Sequence, residues 1–473
     1  MRLCLALAIS LTAAAQLSER EALNQIRADS LRGHVSFLAS DLLEGRGTPS
    51  RGLDLAAEYI AAQFRRAGIE PAGDDGYFQT ANWLMLEPNL DGFVFTVELA
   101  GKTVDIPASS VRVQNPAKID LQRVEASKVN RNGHPPNEIP ASLVDGKAVF
   151  VDRGPTDWSA AVARRLRSLE PALVVYVDDR PATPPLIDPE ARRPAARTRV
   201  FISEMPEIDA DTRVSVHLAA PIERPVRMRN VAGVLRGSGS TLRDEYVLVS
   251  AHYDHLGVRS QADSDPIFNG ANDDASGTAA LLELAAALGT AGPKRSIVFA
   301  AFFGEERGFL GSRYYVRRPL VPLEKTVANL NLEHLGRTDA TDGPKHGSTT
   351  LTGFAFSDVG QTLARAAESW AVRIDGDEKY GDAYFRRSDN LSLAEAGVPA
   401  HTLCVALDFP DYHRAGDHWD KLDYANMEKI VRAVGAGVLA LANAETAPHW
   451  NEKEEKVSPY SEAWRKRHRS GVE

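Results

Sequence analysis

Apolar positions follow two rhythms along this chain, and the change of rhythm divides it. Over residues 20–79 the apolar side chains Leu23, Ile26, Leu31, Val35 and Leu38 recur at helical spacing, and 55–64 repeats the pattern. Gly68 and Pro71 end the second helix. Over 81–227 the texture shifts to short β-rich runs such as 93–99 and 148–152, broken by Pro and Gly. A helix over 158–169 and an apolar strand over 172–177 complete what reads as an inserted β-rich domain. From Asn230 onward strands and helices alternate, with strands predicted at 246–250, 296–303, 327–332 and 400–406 and helices at 278–288, 357–370 and 424–444. That alternation predicts an α/β fold with a mixed, mainly parallel sheet flanked by helices.

The first residues change the picture only at the margin. Met1 and Arg2 precede an apolar run over 3–11 and the small residues Ala13, Ala14 and Ala15. This pattern predicts a signal peptide over 1–15, too short to span a membrane, and hence a secreted or periplasmic protein. The expected organisation is then a helical part of the main domain over 16–80, the insertion over 81–227, the main domain over 228–447 and a charged, mobile tail over 448–473. A chain of 473 residues exceeds what one core supports, which agrees with more than one domain. Its net charge of −9 is spread out, and the one basic cluster, 465–469, is short, so nucleic acid is excluded as a partner. With Cys4 and Cys404 as the only cysteines, no disulfide framework holds the mature fold.

The chemistry lies where polar groups meet strand ends. His252, Asp254 and His255 follow the first strand in A-H-Y-D-H-L-G; Glu305 and Glu306 follow the second in F-F-G-E-E-R-G; Glu333 follows the third; His413 follows the last in D-Y-H-R-A-G-D. Ligands of open α/β sheets bind beyond the carboxyl ends of the strands, so these groups converge on one edge. Asp273 and Asp274, in G-A-N-D-D-A-S-G, precede a helix that Asp274 or Ser276 can cap. Two imidazoles and several carboxylates crowded together repel or lose solvation unless divalent cations join them. Nitrogen and oxygen ligands without thiolate favour zinc, with cobalt or manganese as replacements. Two metals about 3.5 to 4 Å apart need a bridging carboxylate, and Asp273 is the candidate.

These motifs, together with F-G-E-E-R-G-F-L-G-S and Y-H-R-A-G-D, resemble those of the co-catalytic di-zinc aminopeptidases, a family that includes bacterial secreted aminopeptidases, plasma glutamate carboxypeptidase and the transferrin receptor. The resemblance implies two Zn2+ per chain, one held by His252, Asp273 and Glu333 and the other by Asp273, Glu306 and His413. It implies hydrolysis of N-terminal residues from peptide substrates, with Glu305 as general base on a metal-bridging water. Asp254 then orients His252, Tyr412 donates to the oxyanion, and a cis peptide joins Asp273 to Asp274. The region around G-K-A-V-F-V-D-R-G at 146–154 resembles a protease-associated domain, which implies a wall that restricts substrate size. Two positions depart from the family: Glu333 stands where aspartate is usual, and Asn390 in Ser388-Asp389-Asn390 replaces the histidine of S-D-H.

Other chemistries compete. No G-x-S-x-G or H-E-x-x-H occurs, which disfavours serine hydrolases and single-zinc protease helices. A carboxypeptidase or dipeptidase needs a cation for a free carboxylate, which Arg386 or Arg387 can supply. A one-zinc glutaminyl cyclase or a ligand-free binding ectodomain fits poorly with five retained metal ligands.

Overall fold

The computed structural model describes residues 17–178, 183–191, 196–259, 265–377 and 381–469; the segment over 1–15 that the sequence predicts to be a signal peptide and the last four residues of the tail lie outside them. The chain separates into two compact units, Met1–Ala81 with Met228–Glu473, and Asn82–Arg227.

Eight of the ten strands in the sheet that carries the chemistry are β1 (Phe78–Glu87), β2 (Ile222–Leu235), β3 (Tyr246–His252), β4 (Ser296–Phe302), β5 (Thr326–Glu333), β6 (Ser348–Leu351), β7 (Arg373–Asp375) and β8 (Ala400–Cys404). They lie in the order β7-β6-β8-β5-β3-β4-β2-β1, with β1 and β2 carrying the chain across the unit boundary. The four central strands run parallel, with Leu248 opposite Val298, Ser250 opposite Asn331 and Glu333 opposite Cys404. β2 and β6 pair antiparallel outside them. Strands covered on both faces need unbroken apolar runs, and β3, reading YVLVSAH, is buried at every position.

The covering helices include α1 (Ala28–Leu38), α2 (Arg51–Arg66), α3 (Ser276–Leu288), α4 (Leu310–Arg317), α5 (Asp358–Glu368), α6 (Tyr424–Asn443) and α7 (Ser458–Arg469). α3 is buried nearly all round and lies close against β5: a Cβ added at Gly277 would stand 2.2 Å from the Leu332 carbonyl oxygen. From β3 the chain passes through α3 to β4 on one side, then returns to β5 on the other. That reversal leaves a crevice at the end of β3, where His252 sits.

The predicted central strands and helices are present, within a few residues at their ends. β2, β6 and β7 were not anticipated. The tail differs outright from its expected mobility. Trp450, Val457 and Tyr460 join the buried core, Trp450 stacks on Tyr460 at 5.4 Å, and the Trp450 indole donates to the Gly397 carbonyl at 2.9 Å. Three large apolar groups among many charges suffice to order the segment.

The other unit pairs strands Ala148–Val151, Leu173–Val177 and Arg199–Ile202 in parallel and adds antiparallel neighbours, with helix Thr156–Arg167. Its main core gathers Phe95, Phe150, Val175 and Val214. Among the described residues no helix is long and apolar enough to cross a membrane.

One core group makes stability depend on pH. His401 on β8 is fully buried, with Nδ1 donating to the Thr352 carbonyl at 2.9 Å and Nε2 2.6 Å from Ser357 Oγ. Burial pushes its pKa from 6.5 down to about 4. Below pH 6.5 the unfolded chain takes up a proton that the folded chain refuses until about pH 4, so stability falls as pH falls through this window. We expect this residue alone to cost about 2 kcal/mol at pH 5 relative to pH 7. Urea unfolding of the wild type and of His401→Gln at both pH values checks this, the variant being expected to lose less on acidification.

Candidate metal centre

The carboxyl ends of the parallel strands bring the predicted residues together. His252 ends β3, Glu333 ends β5, Glu305 and Glu306 form the turn after β4, and His413 follows β8. Asp273 stands before α3, joined to Asp274 by a cis peptide as the resemblance implied. Asp274 serves the helix terminus, accepting from the Gly277 N–H at 3.0 Å, while Ser276 Oγ donates to the Asn272 carbonyl at 2.7 Å.

Asp273 lies at the middle, and its two oxygens face different groups. Oδ1 is 3.3 Å from His252 Nε2 and 3.5 Å from His334 Nε2, with Glu333 Oε1 3.8 Å from the same His252 nitrogen. Oδ2 is 3.2 Å from His413 Nε2 and 3.8 Å from His255 Nδ1. Glu306 Oε1 completes this second group, 3.2 Å from His413 Nε2 and 2.9 Å from His255 Nδ1. Asp417, buried, holds Asp273 in place by accepting from the N–H groups of Asn272 and Asp273 at 3.0 and 3.1 Å.

Asp254 ties two strand ends together. Its Oδ1 accepts from the Glu305 N–H at 3.0 Å and its Oδ2 from Thr48 Oγ at 3.1 Å. His252 Nδ1 bonds to the Asp254 carbonyl at 3.2 Å, with the carboxylate at 3.6 Å.

Cations fit this arrangement. Glu306 Oε1, Asp274 Oδ2 and both ring nitrogens of His255 are buried without a hydrogen-bond partner, a costly state for polar atoms that metal coordination relieves for those facing the centre. His255, Asp273 and Glu306 alone offer three ligand atoms within 4.8 Å of one another.

Residues 230–438 match the model of peptidase family M28. This segment is similar to peptidase family M28. The chain is 32% identical over 210 residues to a probable zinc metalloprotease of Pyricularia oryzae, covering 44% of this chain and 40% of that protein. It is 26% identical over 251 residues to aminopeptidase YwaD of Bacillus subtilis, covering 48% of each. The chain thus spans about half the length of the curated relatives it matches. Two solved structures share the fold: a zinc aminopeptidase from Bacillus subtilis, with TM-score 0.60, 19% identity and coverage of 89% of this chain and 97% of that one, and an aminopeptidase from Aneurinibacillus sp. strain AM-1, with TM-score 0.59, 18% identity and coverage of 91% and 97%. Zinc is the metal that the names of these relatives carry.

At this centre the carboxylates do not share one electrostatic fate. Burial, reinforced by Glu333 and Glu306, pushes Glu305 well above the usual carboxylate range. Burial also raises Glu333. Burial and Asp273 oppose ionising Glu306, yet His255 and His413 outweigh them and bring it down to about 2. Burial opposes charge on His413 as well, and Asp273 and Glu306 overcome it, lifting the imidazole to about 10. Positive charge is what these carboxylates collectively demand.

The cleft is lined by His252, Glu305, His334, Tyr384, Arg387 and Tyr412 among others. Tyr412 stacks on the His413 ring at 4.0 Å between centroids. Of the two arginines, Arg387 reaches the cleft, with its guanidinium over the Tyr384 ring at 4.4 Å, while Arg386 bonds to the Tyr460 hydroxyl at 3.0 Å. Glu333 is held by Asn331 Nδ2 at 3.3 Å and by the Ser388 hydroxyl. Asn390 is spent on structure, donating to the Phe385 carbonyl at 3.0 Å and accepting from Thr402 Oγ at 2.9 Å.

Sequence reasoning missed His334, gave His255 no role, and did not single out Asp417 or Arg46. The signal for the two imidazoles was adjacency: His255 shares A-H-Y-D-H with His252, and His334 directly follows Glu333.

Proposed function

We propose that the protein is a two-zinc exopeptidase of aminopeptidase type. The observation that carries this reading is the double facing of Asp273, whose Oδ1 meets the His252 group and whose Oδ2 meets the His413 group. In this reading His252 and Glu333 serve one metal, Glu306 and His413 the other, and Asp273 both. When bound, the metals supply Lewis acidity to the scissile carbonyl and to the attacking water.

The side chains supply the rest. Glu305 takes the proton of the attacking water and passes it to the leaving amine as the amide C–N bond breaks. Its perch is set by the Asp254 carboxylate, which holds the Glu305 N–H at 3.0 Å. Tyr412, on the cleft wall, donates to the oxygen that gains charge as the carbonyl becomes tetrahedral. The acidic lining favours a substrate's protonated amine, which is why cleavage is read from the N-terminus.

Arg387 favours a second reading, a carboxypeptidase or dipeptidase that pairs this guanidinium with a free carboxylate. Dipeptides capped at either end separate the two. Acetylating the amine is expected to lower kcat/KM at least about tenfold, worth about 1.4 kcal/mol, while amidating the carboxyl end changes it little. The opposite pattern would transfer the assignment to the second reading.

A further inference from the structure

We infer that His334 and His255 are also metal ligands, so that each oxygen of Asp273 is met by two imidazoles and one further carboxylate. This inference rests on the metal-centre reading above and extends its ligand set from five residues to seven.

His334 carries the case on the His252 side. Successive side chains in an extended strand point to opposite faces, so Glu333 and His334 cannot both reach one point while β5 continues. The chain breaks the alternation there: His334 has φ of +50°, a left-handed conformation that non-glycine residues adopt rarely. Its amide donates to Asp274 Oδ1 at 3.3 Å, and its ring lies edge-on to Phe409 and Tyr412 at 5.4 and 5.5 Å. The result of this local cost is that His334 Nε2 stands 3.5 Å from Asp273 Oδ1.

The ring's other nitrogen decides what Nε2 offers. His334 Nδ1 is 3.2 Å from the Ala406 carbonyl, which can only accept, so Nδ1 carries the proton. In the neutral ring Nε2 then presents a lone pair to the carboxylate. His252 repeats the arrangement: Nδ1 on the Asp254 carbonyl at 3.2 Å, Nε2 3.3 Å from the same Asp273 oxygen. A carbonyl on one imidazole nitrogen with the other turned inward is how proteins orient metal-binding histidines. Two such nitrogens and a carboxylate oxygen converging call for a cation among them.

On the other side His255 is buried, and neither ring nitrogen has a hydrogen-bond partner. Its Nδ1 lies 2.9 Å from Glu306 Oε1, which is itself without one. Gly270 packs close against the ring: a Cβ there would stand 2.4 Å from its Cγ and 2.6 Å from its Cδ2. Its amide is tied to the Arg46 carbonyl at 3.3 Å. Two nitrogens and two oxygens on each side remain a zinc-type set.

The test is zinc-edge X-ray absorption on the full zinc-loaded chain, which counts imidazoles by their outer-shell scattering and does not depend on turnover. About two imidazoles per zinc are expected in the wild type, and about 1.5 on average in His334→Ala and in His255→Ala. Competition with a chelator should show one zinc in each variant bound at least about tenfold more weakly. Zinc bound with one imidazole each in the wild type overturns the inference while leaving the two-metal reading intact. Wild-type affinity in both variants overturns it too. A chain that retains no zinc defeats both, and because the wild-type spectrum is decisive, a variant that fails to fold does not blunt the test.

Discussion

Replacing Glu305 by Gln is expected to lower turnover by about 100-fold or more, a loss of about 2.7 kcal/mol in transition-state stabilisation, while bound zinc stays at the wild-type level. The amide keeps the volume of the side chain and a hydrogen-bonding end but cannot accept a proton from water. Its backbone anchor, the Glu305 N–H on Asp254 Oδ1, is untouched, so the metal groups on either side of Asp273 keep their places. Glu306→Gln should behave differently. Glu306 Oε1 is the atom that meets both His413 and His255, and losing its charge removes a ligand rather than a base. Activity and zinc content should fall together in that variant. Steady-state kinetics beside elemental analysis of both proteins distinguish the roles. Loss of zinc in Glu305→Gln with turnover preserved at saturating zinc would reverse the two assignments.

Arg46→Met is expected to destabilise the fold by about 3 to 5 kcal/mol, the range for removing one partner from a buried charged network. Arg46 is fully buried, and its guanidinium donates to four backbone carbonyls: Leu38, Tyr253 at 2.8 Å, Asn269 at 2.7 Å and Gly270 at 2.9 Å. Burial lowers its pKa to about 10, so it remains charged at neutral pH, facing Asp254 and Asp274. Methionine fills much of the space but leaves those carbonyls without donors. Arg46→Lys should recover less than half of the loss, because one ammonium cannot reproduce a planar fork spanning four acceptors. Denaturant unfolding of chelator-stripped samples checks both values apart from metal binding.

What could be read from the chain was whatever is periodic or adjacent. β3 and β4 announce themselves because strands covered on both faces must be apolar throughout, and His252 and Glu305 could then be placed simply by where those runs stop. Arg46 gave no such sign. It sits in the polar stretch D-L-L-E-G-R-G, and its acceptors at residues 38, 253, 269 and 270 come together only in three dimensions. His334 was hidden for a related reason. Strand alternation argues that the neighbour of an inward-facing Glu333 turns away, and only the left-handed backbone at His334 reverses that expectation. The ordered tail was obscured by composition, since Trp450, Val457 and Tyr460 are spaced among charges too widely to form a periodic face.

The spread of the centre along the chain also sets an order of events. Its groups run from His252 to His413, after four parallel strands and, for Asp273, before α3, so no short stretch holds all the ligands of one ion. Every pairing among these strands must first close a long loop, the slow and entropically expensive part of folding. Metal capture is therefore a late step, available only to a chain whose sheet has already closed around β3. From then on free zinc acts as a ligand of the folded state alone: at one hundred times its dissociation constant a single site adds about 2.7 kcal/mol. The resistance of the protein to unfolding, and to proteases that attack opened chains, becomes a function of the zinc concentration around it.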